Sequence, residues 1–146
     1  MDMLTEIVRN KCIYVPFLLW FLIQTFKVVS DLVVNKKLNV KRIIGAGGMP
    51  SSHSAVVCSL SMLVGREYGF DSGIFAIALV MSFIVMYDAA GVRRASGKQA
   101  RILNKILETP GMSTVEVQEK LIEALGHTPI QVFVGAVIGF FIGFII

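Results

Sequence analysis

Residues 73–92, GIFAIALVMSFIVMYDAAGV, carry one acidic side chain, Asp88, and no basic one. No other feature of the chain constrains its fold as much. About 20 apolar residues rising 1.5 Å each match the ~30 Å hydrocarbon core of a bilayer. A helix satisfies its own backbone N–H and C=O groups there, where water cannot. Three further apolar runs accompany it: 14–26, continuing to Val34; 54–65, extendable to Phe70; and 129–146. The run at 54–65 is short for a span unless Arg66 snorkels outward.

Apolar residues make up 55% of the 146-residue chain and charged residues 16%, with a mean hydropathy of +0.72. Soluble domains carry about 25% charged residues, so polar surface is too scarce to cover a globule in water. The expected fold is therefore an all-α integral membrane bundle, one domain over 1–146. It has about four membrane segments plus one or two amphipathic interfacial helices. The net charge of +4 then bears on orientation and anionic head groups, and nucleic acid is not an expected partner. Cys12 and Cys58 lie in apolar surroundings and read as free thiols, with no disulfide or metal site. The mixed-charge start MDMLTEIVRNK, with no small-residue cleavage site after the first apolar run, reads as a retained helix.

Residues 93–127 form the one sizeable polar region. In GKQARILNKILE, 97–108, Lys98, Arg101 and Lys105 share one helical face and Ile102, Leu103, Ile106 and Leu107 another. Such a basic amphipathic helix suits a membrane surface. Ser113 and Glu116 offer a capping box for a second helix that Gly126 stops. Gly135, Gly139 and Gly143 form a GxxxGxxxG face suited to close helix packing, within the chain or in a homo-oligomer.

With four crossings, the basic loop 35–50 and the region 93–127 fall on one side, and the positive-inside rule assigns that side to the cytoplasm of a cell membrane. The same topology gathers chemistry. His53 opens the second segment, Asp88, Arg93 and Arg94 close the third, and His127 just precedes the fourth. Both histidines of the chain meet one membrane face with a pair of arginines.

In GGMPSSHSAVVCSL, 47–60, Ser51 or Ser52 can cap the helix beginning near His53, and Gly47 and Gly48 let backbone approach a ligand. The free N–H groups of such a helix end suit an anion. PSS is also a good helix start with no ligand at all. In GHTPIQVFVG, 126–135, Thr128, Pro129 and Gln131 read as a capping box with proline at the first helical position. Capping does not account for His127.

These blocks carry a resemblance. PSSH at 50–53 looks like the PSGH motif of the type 2 phosphatidic acid phosphatase superfamily, which includes lipid phosphatases and vanadium haloperoxidases. GGMPSSHSA, YDAAGVRRASGKQARILN at 87–104 and GHTPIQVFVG more closely resemble its divergent branch. The resemblance implies a membrane hydrolase for lipid or isoprenoid phosphates or diphosphates, working through a phosphohistidine without metal or cofactor. On this sequence His127 would be the nucleophile and His53 the general acid. Phosphate-binding candidates are Lys27, Ser51, Ser52, Arg93 and Arg94.

The chain departs from the pattern. Where the third motif has an Asp that orients the nucleophile, this sequence has Gln131, and the motif's Ser-Arg pair falls on Lys120 and Leu121. Asp88 is the candidate to replace the carboxylate; its alternative is pairing with Arg93 or Arg94. The first motif, KxxxxxxRP, has no match, which leaves Lys27 or Arg42 for its lysine. Lys27 can instead pair with Asp31 or snorkel. These departures raise an alternative function, a non-catalytic membrane protein that binds or moves a phosphorylated lipid.

Overall fold

The computed structural model of the protein describes residues 2–36, 48–108, 121 and 126–146. These residues are helical, without strands, in six helices: α1 Met3–Arg9, α2 Lys11–Asn35, α3 Ser52–Tyr68, α4 Gly73–Ala90, α5 Val92–Glu108 and α6 Pro129–Ile145. All four apolar runs are helices, and α1 is an addition to them. The amphipathic helix expected over 97–108 begins earlier, at Val92, directly after a break at Gly91. The second amphipathic helix, with Ser113 and Glu116, and most of loop 35–50, including Gly47 and Arg42, lie outside the described residues.

The helix starts are set locally. Asn10 accepts from the Cys12 N–H at 2.9 Å to open α2, and Ser72 accepts from the Phe75 N–H at 3.2 Å to open α4. Each side chain satisfies one of the donors that a helix end otherwise leaves orphaned.

α3 is the hub, packed on α2, α4 and α6. Its buried residues are mostly small: Ser52, Ser54, Ala55, Ser59, Ser61 and Gly65. Small side chains let the neighbouring backbones close in. The glycine face of α6 is used here. A Cβ on Gly135 would collide with the Ser51 carbonyl, one on Gly139 with the Ala55 carbonyl, and one on Gly143 would lie 2.7 Å from Ser59 O. Both series advance by four residues, so α3 and α6 run parallel along a shared seam. That seam lies within the chain, where α3 covers Gly135, Gly139 and Gly143.

α4 is tied to α3 by a hydroxyl pair, Ser61 Oγ and Ser82 Oγ at 2.7 Å, and Ser82 also donates to Val57 O at 2.9 Å. Arg66 does not simply snorkel: it donates to Phe144 O at 2.7 Å and Gly143 O at 3.1 Å. Lys11 reaches Ile146 O at 3.2 Å. Both cations satisfy carbonyls at the C-terminal end of α6, where the helix dipole favours them.

Among the described residues many polar groups are buried and many large apolar ones exposed. Buried groups include Gln24, Lys27, six serines, Asn104 and His127, while Phe17, Phe21, Ile77, Phe83, Phe133 and Phe144 are all more than half exposed. Lys11–Asn35 and the stretch Gly73–Glu108 are long and apolar enough to cross a membrane, and Pro129–Ile145 is a shorter apolar helix.

Candidate active site

The turn before α3 and the loop before α6 are built against each other. Ser51 is the N-cap of α3, completely buried, with its Oγ accepting from the Ser54 N–H at 3.4 Å and the Ser54 hydroxyl at 3.0 Å. Its own N–H donates to Gln131 O at 3.0 Å. The backbone donors left at this helix end are, by position, those of Ser52 and His53 in the first turn. Gly48, before the turn, has a φ of +81°, a conformation glycine adopts without steric cost.

The loop before α6 is fixed at three points. Gly126 has a φ of +88°, and a Cβ on it would lie 2.6 Å from Arg94 Cα, so only glycine passes over the start of α5. The His127 N–H donates to Ala89 O at 2.9 Å, pinning the loop to the end of α4. Thr128 and Gln131 then form the reciprocal capping box, with Pro129 at the first position of α6.

These constraints bring His53 and His127 together, with ring centroids 6.0 Å apart and planes inclined at 65°. His127 is 2% exposed. Its Nδ1 lies 3.3 Å from Gln131 Oε1, and the same oxygen accepts the Thr128 N–H at 3.0 Å. An atom receiving a backbone N–H is an acceptor, so Nδ1 must donate to it. In the neutral imidazole that leaves Nε2 with a free lone pair. Among the described residues, His127 Nε2 and His53 Nδ1 are buried without a hydrogen-bond partner.

Lys27 of α2 is 4% exposed, so it does not snorkel, and its charge acts on both imidazoles. Burial pushes the His127 imidazole below its ordinary 6.5 and Lys27 pushes it the same way, while the Gln131 hydrogen bond opposes them. Asp88 pairs with Arg93, Oδ2 to Nε at 2.5 Å, with both side chains more than a third exposed. Asp88 thus makes the pairing with Arg93, while the side chain that meets His127 Nδ1 is that of Gln131. Both charges of the pair also act on His53. Arg94 is exposed, and its backbone lies under Gly126.

Lys27, Ser52, His53, His127 and the Asp88–Arg93 pair thus gather at one end of the bundle, whereas Ser51 serves the turn itself. Two contributors escape sequence reasoning. The Ala89 carbonyl has no side-chain signature. Gln131 shows the signature of a cap, which conceals its second contact with His127.

A family model described as "Divergent PAP2 family" matches residues 8–142. A Bacillus subtilis (strain 168) protein described as "Uncharacterized membrane protein YuiD" is 42% identical over 127 residues, covering 80% of this chain and 80% of the relative. No solved structure matches the chain.

Proposed function

The chain belongs to the divergent PAP2 family, and from that premise we propose that it is an integral membrane phosphatase for lipid or isoprenoid phosphates or diphosphates. In this reading α2, α3, α4 and α6 cross a cell membrane, and the histidine end of the bundle faces the cytoplasm. The exposed apolar residues, the buried polar groups and the membrane-protein relative support the membrane placement.

The observation that carries the reading is the approach of His53 and His127 to 6.0 Å, each with a buried nitrogen that has no partner among the described residues. In the proposed reaction the Nε2 lone pair of His127 attacks phosphorus. The bond from phosphorus to the lipid oxygen breaks, and His53 gives its proton to the departing oxygen. Water, deprotonated by His53, then attacks the phosphohistidine; the phosphorus–nitrogen bond breaks and phosphate leaves. Lys27, Arg93, Arg94 and the N–H groups of Ser52 and His53 hold the phosphoryl oxygens, where charge develops. The steps as written use no metal ion.

The test is phosphate release from a long-chain lipid phosphate by the purified full chain in chelator. Release blocked by vanadate is expected, with an acid-labile phosphoprotein that His127→Ala does not form. Turnover by His127→Ala at the wild-type rate would overturn the assignment.

Gln131 favours a second reading. Its neutral amide stands where the superfamily motif has a carboxylate, and it orients His127 without stabilising an imidazolium as a charge would. A protein that binds or moves a phosphorylated lipid needs no such stabilisation. Lipid binding that survives both histidine substitutions, with no turnover by the wild type, would select this reading.

A further inference from the structure

α4 and α6 lie side by side yet barely touch. Between them runs an apolar groove in two adjoining sections of about 700 and 420 Å³, the smaller floored by Cys58, Ser61 and Met62 of α3. The sections share Phe83, Met86 and Ala136. One end lies at Ala90 and Pro129, beside the hydrogen bond from His127 N–H to Ala89 O. The other end lies at Phe141. From Pro129 to Phe141 the groove follows α6 for about 18 Å at 1.5 Å per residue. That is slightly more than one leaflet's half of a ~30 Å hydrocarbon core.

A second groove, of about 600 Å³, lies between α2 and α6 and also approaches the site turn, at Met49 and Pro50. It touches α6 only at Val134 and Ile138, about 6 Å of helix. That length falls short of one leaflet's half of the hydrocarbon core.

We propose that the α4–α6 groove holds the hydrocarbon chain of the phosphorylated lipid, one chain in one leaflet, and delivers its phosphate sideways to His53 and His127. The inference rests on the membrane reading given above. Its occupant follows from adjacency: an apolar groove of leaflet length ends at Ala90 and Pro129, next to the loop that carries His127. A molecule that fills both parts carries a phosphate on a long chain. Ala136 sits at the joint between the sections, where its small side chain keeps the groove open.

The full chain in vesicles is labelled with a long-chain alkyl phosphate carrying a diazirine at mid-chain. Label on Phe83, Met86 or Ala136 is expected, displaced by unlabelled alkyl phosphate but not by the matching alcohol. Label spread over outward residues of α2 such as Phe17 and Phe21, or not displaced by phosphate, overturns the proposal. Acyl and prenyl phosphates as competitors identify which chain type the groove prefers. Ala136→Phe should raise KM for the long-chain phosphate roughly tenfold more than for a short-chain one, as expected from excluding about two methylenes. An equal effect on both overturns the groove. Absence of turnover on any phosphate defeats the catalytic reading alone, because labelling and displacement read the groove without turnover.

Discussion

Gln131 Oε1 accepts from both the His127 imidazole, at 3.3 Å, and the Thr128 N–H, at 3.0 Å, so one side chain caps α6 and sets the tautomer of its neighbour. Where the resemblance to the superfamily's motif implies an aspartate, the amide keeps the direction of the hydrogen bond while giving up the charge. A charged acceptor would stabilise the imidazolium; the neutral one leaves His127 a weaker base with Nε2 unprotonated.

The two roles of Gln131 separate by substitution. Gln131→Leu should cost about 1 kcal/mol of stability through the lost cap and slow phosphoenzyme formation by about 10–100-fold, less than the loss of a charged partner would. Gln131→Glu keeps the capping box and should raise the His127 pKa, moving the acid limb of the pH profile upward. Unchanged rates and an unmoved profile in both variants, with only the melting temperature altered, would reduce Gln131 to a cap.

The depressed pKa of His127 makes a pH prediction with a definite sign. Burial, then Lys27, holds the folded imidazole below 6.5. The unfolded chain takes up a proton as pH falls through 6.5, and the folded chain does so only at lower pH. Stability is therefore complete above 6.5, falls below it, and levels off beneath the folded value. Nitrogen chemical shifts of labelled histidine should place the His127 midpoint below 6.5, with Nδ1 protonated in the neutral form. A midpoint above 6.5 would contradict the burial of this ring.

Lys27 is a buried cation beside two imidazoles. Lys27→Met, a neutral side chain of similar length, keeps the apolar stem in place while removing the charge. It should weaken vanadate inhibition roughly tenfold, as for the loss of one charge-assisted hydrogen bond, and raise the His127 midpoint. Vanadate affinity equal to wild type would leave Lys27 with a structural role only.

The seam between α3 and α6 admits no side chain. Gly139→Leu would drive a Cβ into the Ala55 carbonyl and should lower stability by about 1–3 kcal/mol or more, because the helices must separate. Gly73→Ala is the control, since nothing lies within 4 Å of its added Cβ; its effect should stay within about 0.5 kcal/mol. Equal melting temperatures for the two variants, followed by circular dichroism in detergent, would mean the seam is not a tight contact.

Much of the fold is legible in the sequence because it is local. Apolar runs of bilayer length, the serine before α3 and the T-P-x-Q start of α6 each fix a helix from neighbouring residues alone. The strict alternation of long helices also brings both histidines to one end of the bundle, whatever their side chains do. Local sequence leaves the rotation of each helix about its axis undetermined. That rotation turns Lys27 inward and sets the glycine face of α6 on α3. Each depends on how whole helices pack, unlike the His127–Gln131 and Asp88–Arg93 contacts, which join residues four and five positions apart. An almost uniformly apolar helix such as α4, with only Ser82 and Ala89 buried, carries little in its own periodicity to say which way it faces. The sequence determined which groups reach the site end; the packing of α2, α4 and α6 around α3 decided which of them face one another.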